Sequence, residues 1–151
     1  MAAKTKNIII SACLLGCACR YDGKDNLIKD IADLEKDPQY KIISVCPEQM
    51  GGLPTPRTPG EIHQNRVITE KGNDITWAFN KGARQTLDIA ISKDVHQAIL
   101  KSKSPSCGCG QIYDGTFTKT LTKGNGITAQ LLADNGIEIL NEENYKQKLK
   151  R

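Results

Sequence analysis

Aromatic residues make up only 5% of this chain, with a single tryptophan, and they do not alternate with basic residues. The stacking platforms that hold single-stranded RNA are therefore not expected. Histidine is rarer still. His63 and His96 are the only two, neither lies near a second ligand type in sequence, and both read as structural or exposed. No apolar run approaches the roughly 18 residues of a membrane span, and residues 1–7 lack the apolar stretch of a secretory signal. The expectation is a cytoplasmic protein with no membrane partner. Internal repeats and low-complexity segments are also missing.

What is present fits one globular domain over residues 1–151, with 38% apolar and 25% charged residues. The formal charge of +4 comes partly from a basic end at 145–151, which reads as a solvated helix end or tail. That pattern does not point to a nucleic-acid polymer, but it is compatible with an anionic small molecule. Nothing selects between a monomer and a homodimer. Six cysteines without an export signal read as reduced thiols, which are more often metal-binding or catalytic than disulfide-bonded.

Strand-length and helix-length patterns alternate along the chain. Residues 7–12 and 41–45 read as strands, and Asn26 as the cap of a helix through about Lys36, with Leu27, Ile28, Ile31 and Leu34 at helical spacing. Residues 46–61 hold four prolines and three glycines, too many for a helix or an inner strand, so a long shaped loop forming a pocket wall is expected. Residues 66–69 read as a minor edge strand. A long helix follows from Asp74-Ile75-Thr76 to about Ile91, carrying Trp77, Phe79, Ala83, Leu87 and Ile91, and residues 96–101 form a third strand. Residues 126–134 form a last helix stopped by Gly136, and 137–140 a last strand. This order predicts an α/β fold, Rossmann-like and three-layered, with a mostly parallel sheet.

Three distant cysteines each follow a β-like apolar run: Cys13 in IIISACLLG, Cys46 in IISVCPE and Cys107 in SKSPSCGCG. If these runs are parallel strands of one sheet, their carboxyl ends lie side by side and the thiols converge. A single free cysteine usually packs as a small hydrophobe. Three flanked by Gly or Pro are better explained by backbone bending around a ligand. The spacings match neither a zinc ribbon nor the close cysteine run of a ferredoxin. Three thiolates from separate loops can hold three irons of a 4Fe–4S cluster and leave the fourth without a protein ligand, a Lewis acid with affinity for sulfur.

The segments SACLLG, RYDG, VCPE with GGL and PR, SPSCG, and IYDG followed by Gly126-Ile127-Thr128-Ala129 resemble a small family long catalogued as a domain of unknown function. Its characterised members are thiouracil desulfidases, and the resemblance runs from Ile8 to Ile139. It implies Cys13, Cys46 and Cys107 as ligands of a 4Fe–4S cluster whose fourth iron takes the sulfur of a thiolated uracil. It also implies Glu48 as acid/base and Ser104 as its helper. The expected reaction is a non-redox hydrolysis that yields uracil, or its nucleoside or nucleotide, and hydrogen sulfide.

Read from the residues alone, Glu48 lies two positions from a ligand on a loop held by Pro47, and Ser104 is kept extended by Pro105. Ser106 is expected only to close turn hydrogen bonds. Arg20, Arg57, Lys101 and Lys103 surround the motif loops and are candidates for a substrate phosphate, or else surface charges. Gly51 and Gly52 are candidates for exposing backbone amides to an anion or a base edge. Cys17, Cys19 and Cys109 read as accessory thiols that leave a cluster-free protein prone to oxidation, with Cys109 also within reach of the metal bound by Cys107. Two alternatives stay open: a desulfidase or lyase for another sulfur metabolite, and a non-catalytic zinc or redox-sensing thiol protein.

Overall fold

The computed structural model describes residues 5–149. Residues 1–4 of the leading segment and 150–151 of the basic end lie outside the described residues. Strand β1 (Lys6–Ser11) leads into a 3-10 turn over Ala12–Leu15. A short helix α1 (Lys29–Ala32) continues as a 3-10 turn, Asp33–Lys36, before strand β2 (Tyr40–Val45) and a one-turn helix α2 (Pro47–Met50). Strands β3 (Gly60–His63) and β4 (Arg66–Thr69) precede the long helix α3 (Thr76–Ser92). Strand β5 (Gln97–Ile99), strands β6 (Gln111–Tyr113) and β7 (Leu121–Lys123), helix α4 (Ile127–Asp134), strand β8 (Glu138–Leu140) and helix α5 (Tyr145–Lys148) complete the order.

The main sheet has the order β2-β1-β5-β8, and each of its neighbouring pairs is parallel. The run Ile8-Ile9-Ile10 is apolar at every position because the sheet is covered on both faces. Ile8 and Ile10 pack with Ile31, Leu34, Ile99, Leu140 and Tyr145 on one side. On the other, Ile9 packs with Leu87, Ala90, Ala98, Leu100 and Leu132. The result is the expected three-layer α/β arrangement. Strands β3–β4 and β6–β7 form two antiparallel hairpins outside this sheet, so 66–69 is indeed a minor strand and its partner is β3.

Two expectations are corrected. Asn26 caps no helix: its N–H donates to the Cys13 carbonyl and the Ile28 N–H to that of Leu14, which ties 26–28 to the turn after β1 and delays the helix to Lys29. The segment 46–61 is not all loop, because Pro47 at the first helical position needs no donor of its own and permits the turn α2. Within α3, Phe79, Ala83 and Leu87 are buried as expected, whereas Trp77 and Ile91 are exposed. Among the described residues no helix is long and apolar enough to cross a membrane.

Helix α2 sits on α3 backbone to backbone. A Cβ on Gly82 would lie 1.8 Å from the Pro47 carbonyl oxygen, and one on Gly51 would lie 2.0 Å from that of Ala78. Glycine at both positions sets where α2, and with it Glu48, meets the sheet end.

Candidate functional site

Parallel pairing aligns Ser11 with Val45 and Ile10 with Ile99, so β1, β2 and β5 end together. Cys13 lies two residues beyond β1, Cys46 immediately follows β2, and Cys107 comes from the loop after β5. That last loop is fastened to the start of α4: the Ile127 N–H donates to the Pro105 carbonyl, and the Thr128 and Ala129 N–H groups to that of Ser106. The three motif cysteines therefore rise from neighbouring strand ends, where open α/β sheets bind ligands.

Hydrogen bonds reach all three of these sulfurs. Asn26 Nδ2 donates to Cys13 Sγ at 3.3 Å, and Ser11 Oγ lies 3.4 Å from Cys107 Sγ while accepting the Lys101 N–H at 2.9 Å. Burial pushes the Cys107 thiol up to about 12 against the lowering pull of the Ser11 and Ser106 hydroxyls, with the neighbouring Cys13 adding to the rise. Burial also raises Cys13, opposed by Asn26 and reinforced by Cys46. Cys46 moves the other way, to about 6, because the buried Cys19 thiol donates to it and outweighs its own burial. The same contact holds Cys19 in its protonated form. Cys17 and Cys109 are exposed.

Glu48 is fixed from two sides. Arg57 Nε donates to Oε1 at 3.1 Å and Ser106 Oγ to Oε2 at 3.1 Å. The Arg57 side chain, only 6% exposed, also donates to the Cys19 carbonyl at 2.8 Å and to Thr55 Oγ1 at 2.9 Å. Ser104 Oγ accepts the Ser106 and Cys107 N–H groups at 3.1 and 3.0 Å and lies 2.9 Å from Ser106 Oγ. Ser104 thus connects to Glu48 through Ser106. The expectation that Ser106 merely closes a turn is corrected: its hydroxyl bridges to a carboxylate 58 residues away. The only signal in the sequence was its place between Ser104 and Cys107.

Arg20, Arg57, Lys101, Gly51 and Gly52, candidates to receive an anion, each have partners within the protein. Arg20 pairs with Asp22 at 2.9 Å and donates to Asn26 Oδ1 at 3.1 Å, bracing the residue that bonds Cys13. Lys101 pairs with Glu142 at 3.0 Å. The Gly51 and Gly52 amides donate to the Pro47 and Gln49 carbonyls, both at 2.9 Å, and so do not face an anion. His63 is exposed, and the exposed His96 lies 3.1 Å from Asp94.

Among the described residues no three His, Cys, Asp or Glu side chains close on a single metal ion. A cluster spans more space than one ion and draws its thiolates from further apart. The donor set fits one: three thiols at adjoining strand ends, with a hydrogen-bond donor at each sulfur.

The same chain can be set beside known proteins. It is 37% identical over 145 aligned positions to the uncharacterized protein YbbK of Bacillus subtilis (strain 168), an alignment covering 89% of this chain and 95% of YbbK. Its fold matches the solved structure of the 4Fe–4S-dependent thiouracil desulfidase TudS with a TM-score of 0.89, at 40% identity and 95% coverage of both chains. The family model for 2-thiouracil desulfurase matches residues 8–144, which takes in all three strand-end cysteines, Glu48 and the serine loop. This chain belongs to the 2-thiouracil desulfurase family.

Proposed function

We propose that the protein is a cytoplasmic desulfidase, acting as one domain over 1–151 as a monomer or homodimer, that hydrolyses thiolated uracil bases or nucleotides. Water oxygen bonds to the thiocarbonyl carbon, the carbon–sulfur bond breaks, and uracil or its nucleotide and hydrogen sulfide result with no net oxidation or reduction. Cys13, Cys46 and Cys107 would hold a 4Fe–4S cluster. When bound, the cluster supplies an iron with no protein ligand, a Lewis acid for sulfur that makes the ring carbon electrophilic.

The observation that carries this reading is the fixed position of Glu48 beside the thiol-bearing strand ends. Arg57 holds one carboxylate oxygen and Ser106 the other, so the group is oriented and ready to accept a proton from an attacking water. Ser104 is suited to donate. Two backbone N–H groups point at its oxygen and would stabilise the negative charge that develops as its proton moves to the ring nitrogen. Lys101, paired with Glu142, braces the floor through the Ser11 hydroxyl.

The test is anaerobic reconstitution with iron and sulfide, followed by sulfide release from 2-thiouracil, 4-thiouracil and 4-thiouridine monophosphate. The expected result is sulfide production that requires the cluster and falls at least 100-fold, on the order of a lost general base, in Glu48→Ala with its iron content intact. A brown protein inert toward every thiolated pyrimidine would transfer the site to another sulfur metabolite. Binding of zinc alone would favour a structural thiol site.

A further inference from the structure

We propose that Ser106 is a positioning residue that carries protons between Glu48 and Ser104. The inference rests on the hydrolytic reading above and gives Ser106, which there only orients Glu48, a part in moving protons. A serine hydroxyl has one proton and two lone pairs. Both lone pairs of Ser104 are occupied, by the N–H groups of Ser106 at 3.1 Å and Cys107 at 3.0 Å. At its 2.9 Å contact with Ser106 Oγ, Ser104 has only its proton to offer. Ser106 therefore accepts there, and its own proton is free for a second partner.

Two acceptors lie within reach, Glu48 Oε2 at 3.1 Å and Cys107 Sγ at 3.5 Å. The carboxylate is the stronger acceptor and the nearer one. The chain of donors thus has a direction in the resting site, from Ser104 to Ser106 to Glu48. Its middle member is shielded from solvent: Ser106 is only 1% exposed and the Arg57 side chain closes the far side of Glu48, whose own side chain is 20% exposed. Bulk water has little access to the Ser106 hydroxyl itself.

The proton balance closes along this chain. With the substrate bound as its ring-deprotonated thiolate, Glu48 takes one proton from the attacking water and Ser104 turns its proton from Ser106 to the bare ring nitrogen. The water's second hydrogen leaves with sulfur as hydrosulfide. Ser104, left as an alkoxide, is then the stronger acceptor, so the Ser106 hydroxyl turns from Glu48 to Ser104 and reverses the resting direction. Its proton moves to Ser104 oxygen as Glu48 passes its own to Ser106 oxygen. Ser106 ends with one proton, as it began, and the water's proton has in effect reached the ring. Without Ser106, Glu48 and Ser104 could each act once but could not exchange.

Ser106→Ala, Glu48→Gln and the double variant test this in the reconstituted protein. Ser106→Ala is expected to keep its iron content, visible spectrum and KM while kcat falls on the order of 100-fold. On the Glu48→Gln background it should change kcat less than about 2-fold, because a relay has nothing left to serve. In the cluster-free protein, the isotope-edited infrared carboxylate band of Glu48 should shift in Ser106→Ala, a readout independent of turnover. Wild-type kcat in Ser106→Ala, a loss that multiplies with that of Glu48→Gln, a loss confined to KM, or loss of the cluster would each overturn the relay. Absence of sulfide release by the wild type overturns the hydrolytic reading instead, while the infrared band still decides whether Ser106 holds Glu48.

Discussion

Gly82→Ala should loosen the site from the far side of α2. By intrinsic propensity, alanine in the interior of an exposed helix would stabilise α3 by about 1 kcal/mol. Here the new methyl would sit 1.8 Å from the Pro47 carbonyl oxygen, with the Pro47 carbonyl carbon at 2.7 Å. Those atoms are backbone and cannot rotate away. Reaching even 3.0 Å, the shortest separation that real contacts of this kind show, requires α2 to retreat by about 1.2 Å. Glu48 is the next residue after Pro47, and its contacts to Arg57 and Ser106 are both 3.1 Å long. A retreat of that size takes one or both beyond hydrogen-bonding range. The net effect on the cluster-free protein should be a loss of about 1–3 kcal/mol, as for other overpacked cores, read as a urea midpoint lower by roughly 1 M in anaerobic far-ultraviolet circular dichroism. Reconstituted protein should release sulfide more slowly, because Glu48 is misplaced. Gly51→Ala, 2.0 Å from the Ala78 carbonyl oxygen, should behave alike. A Gly82→Ala protein more stable than wild type with undiminished sulfide release would refute the close backbone contact and the role assigned to it.

Serine at Cys13, Cys46 or Cys107 should each lower reconstituted iron and the brown absorbance, whereas serine at the exposed Cys17 or Cys109 should leave both intact; a cluster lost in Cys109→Ser and kept in Cys107→Ser would reverse the ligand assignment. The raised Cys107 thiol makes the cluster-free protein sensitive to alkali. Its folded value is about 12 against 9.0 for a free thiol, so its stabilising contribution is complete below pH 9 and is lost as pH rises toward 12, up to about 4 kcal/mol. Cys107→Ala should flatten that limb in urea titrations run at pH 8 to 11, and an unchanged slope would contradict it. Asn26→Leu removes the N–H bond to Cys13 Sγ, and a redox titration of the reconstituted cluster should find a lower reduction potential, since such bonds favour the more negative reduced state.

The apolar run before Cys13 was readable because a central parallel strand buried on both faces carries no polar alternation, the Ile42-Ile43 pair marked the edge strand before Cys46, and the glycines and prolines after them marked the loops. Asn26 was misread for a local reason. Asparagine before an apolar periodic stretch resembles a cap, and nothing nearby in sequence announces the Cys13 sulfur that its amide meets. Arg57 and Lys101 looked available because a charge shows in sequence without its partner. Glu48 lies 9 residues from Arg57, and Glu142 supplies the other partner from beyond β8. Strands β3 and β7 are short pieces of separate hairpins, held by their partners β4 and β6 more than by their own pattern.

From the residues alone came the alternation of strands and helices, the ends at which thiols would meet, and the kinds of side chain gathered there, because periodicity and turn chemistry are local properties of a chain. The direction of the Ser104–Ser106–Glu48 bonds, the diversion of Arg57 and Lys101 into ion pairs, and the burial of Cys19 against Cys46 came only with tertiary structure. Hydrogen bonds and burial are set by distances between residues far apart in sequence, and those distances exist only once the sheet has brought its strand ends together.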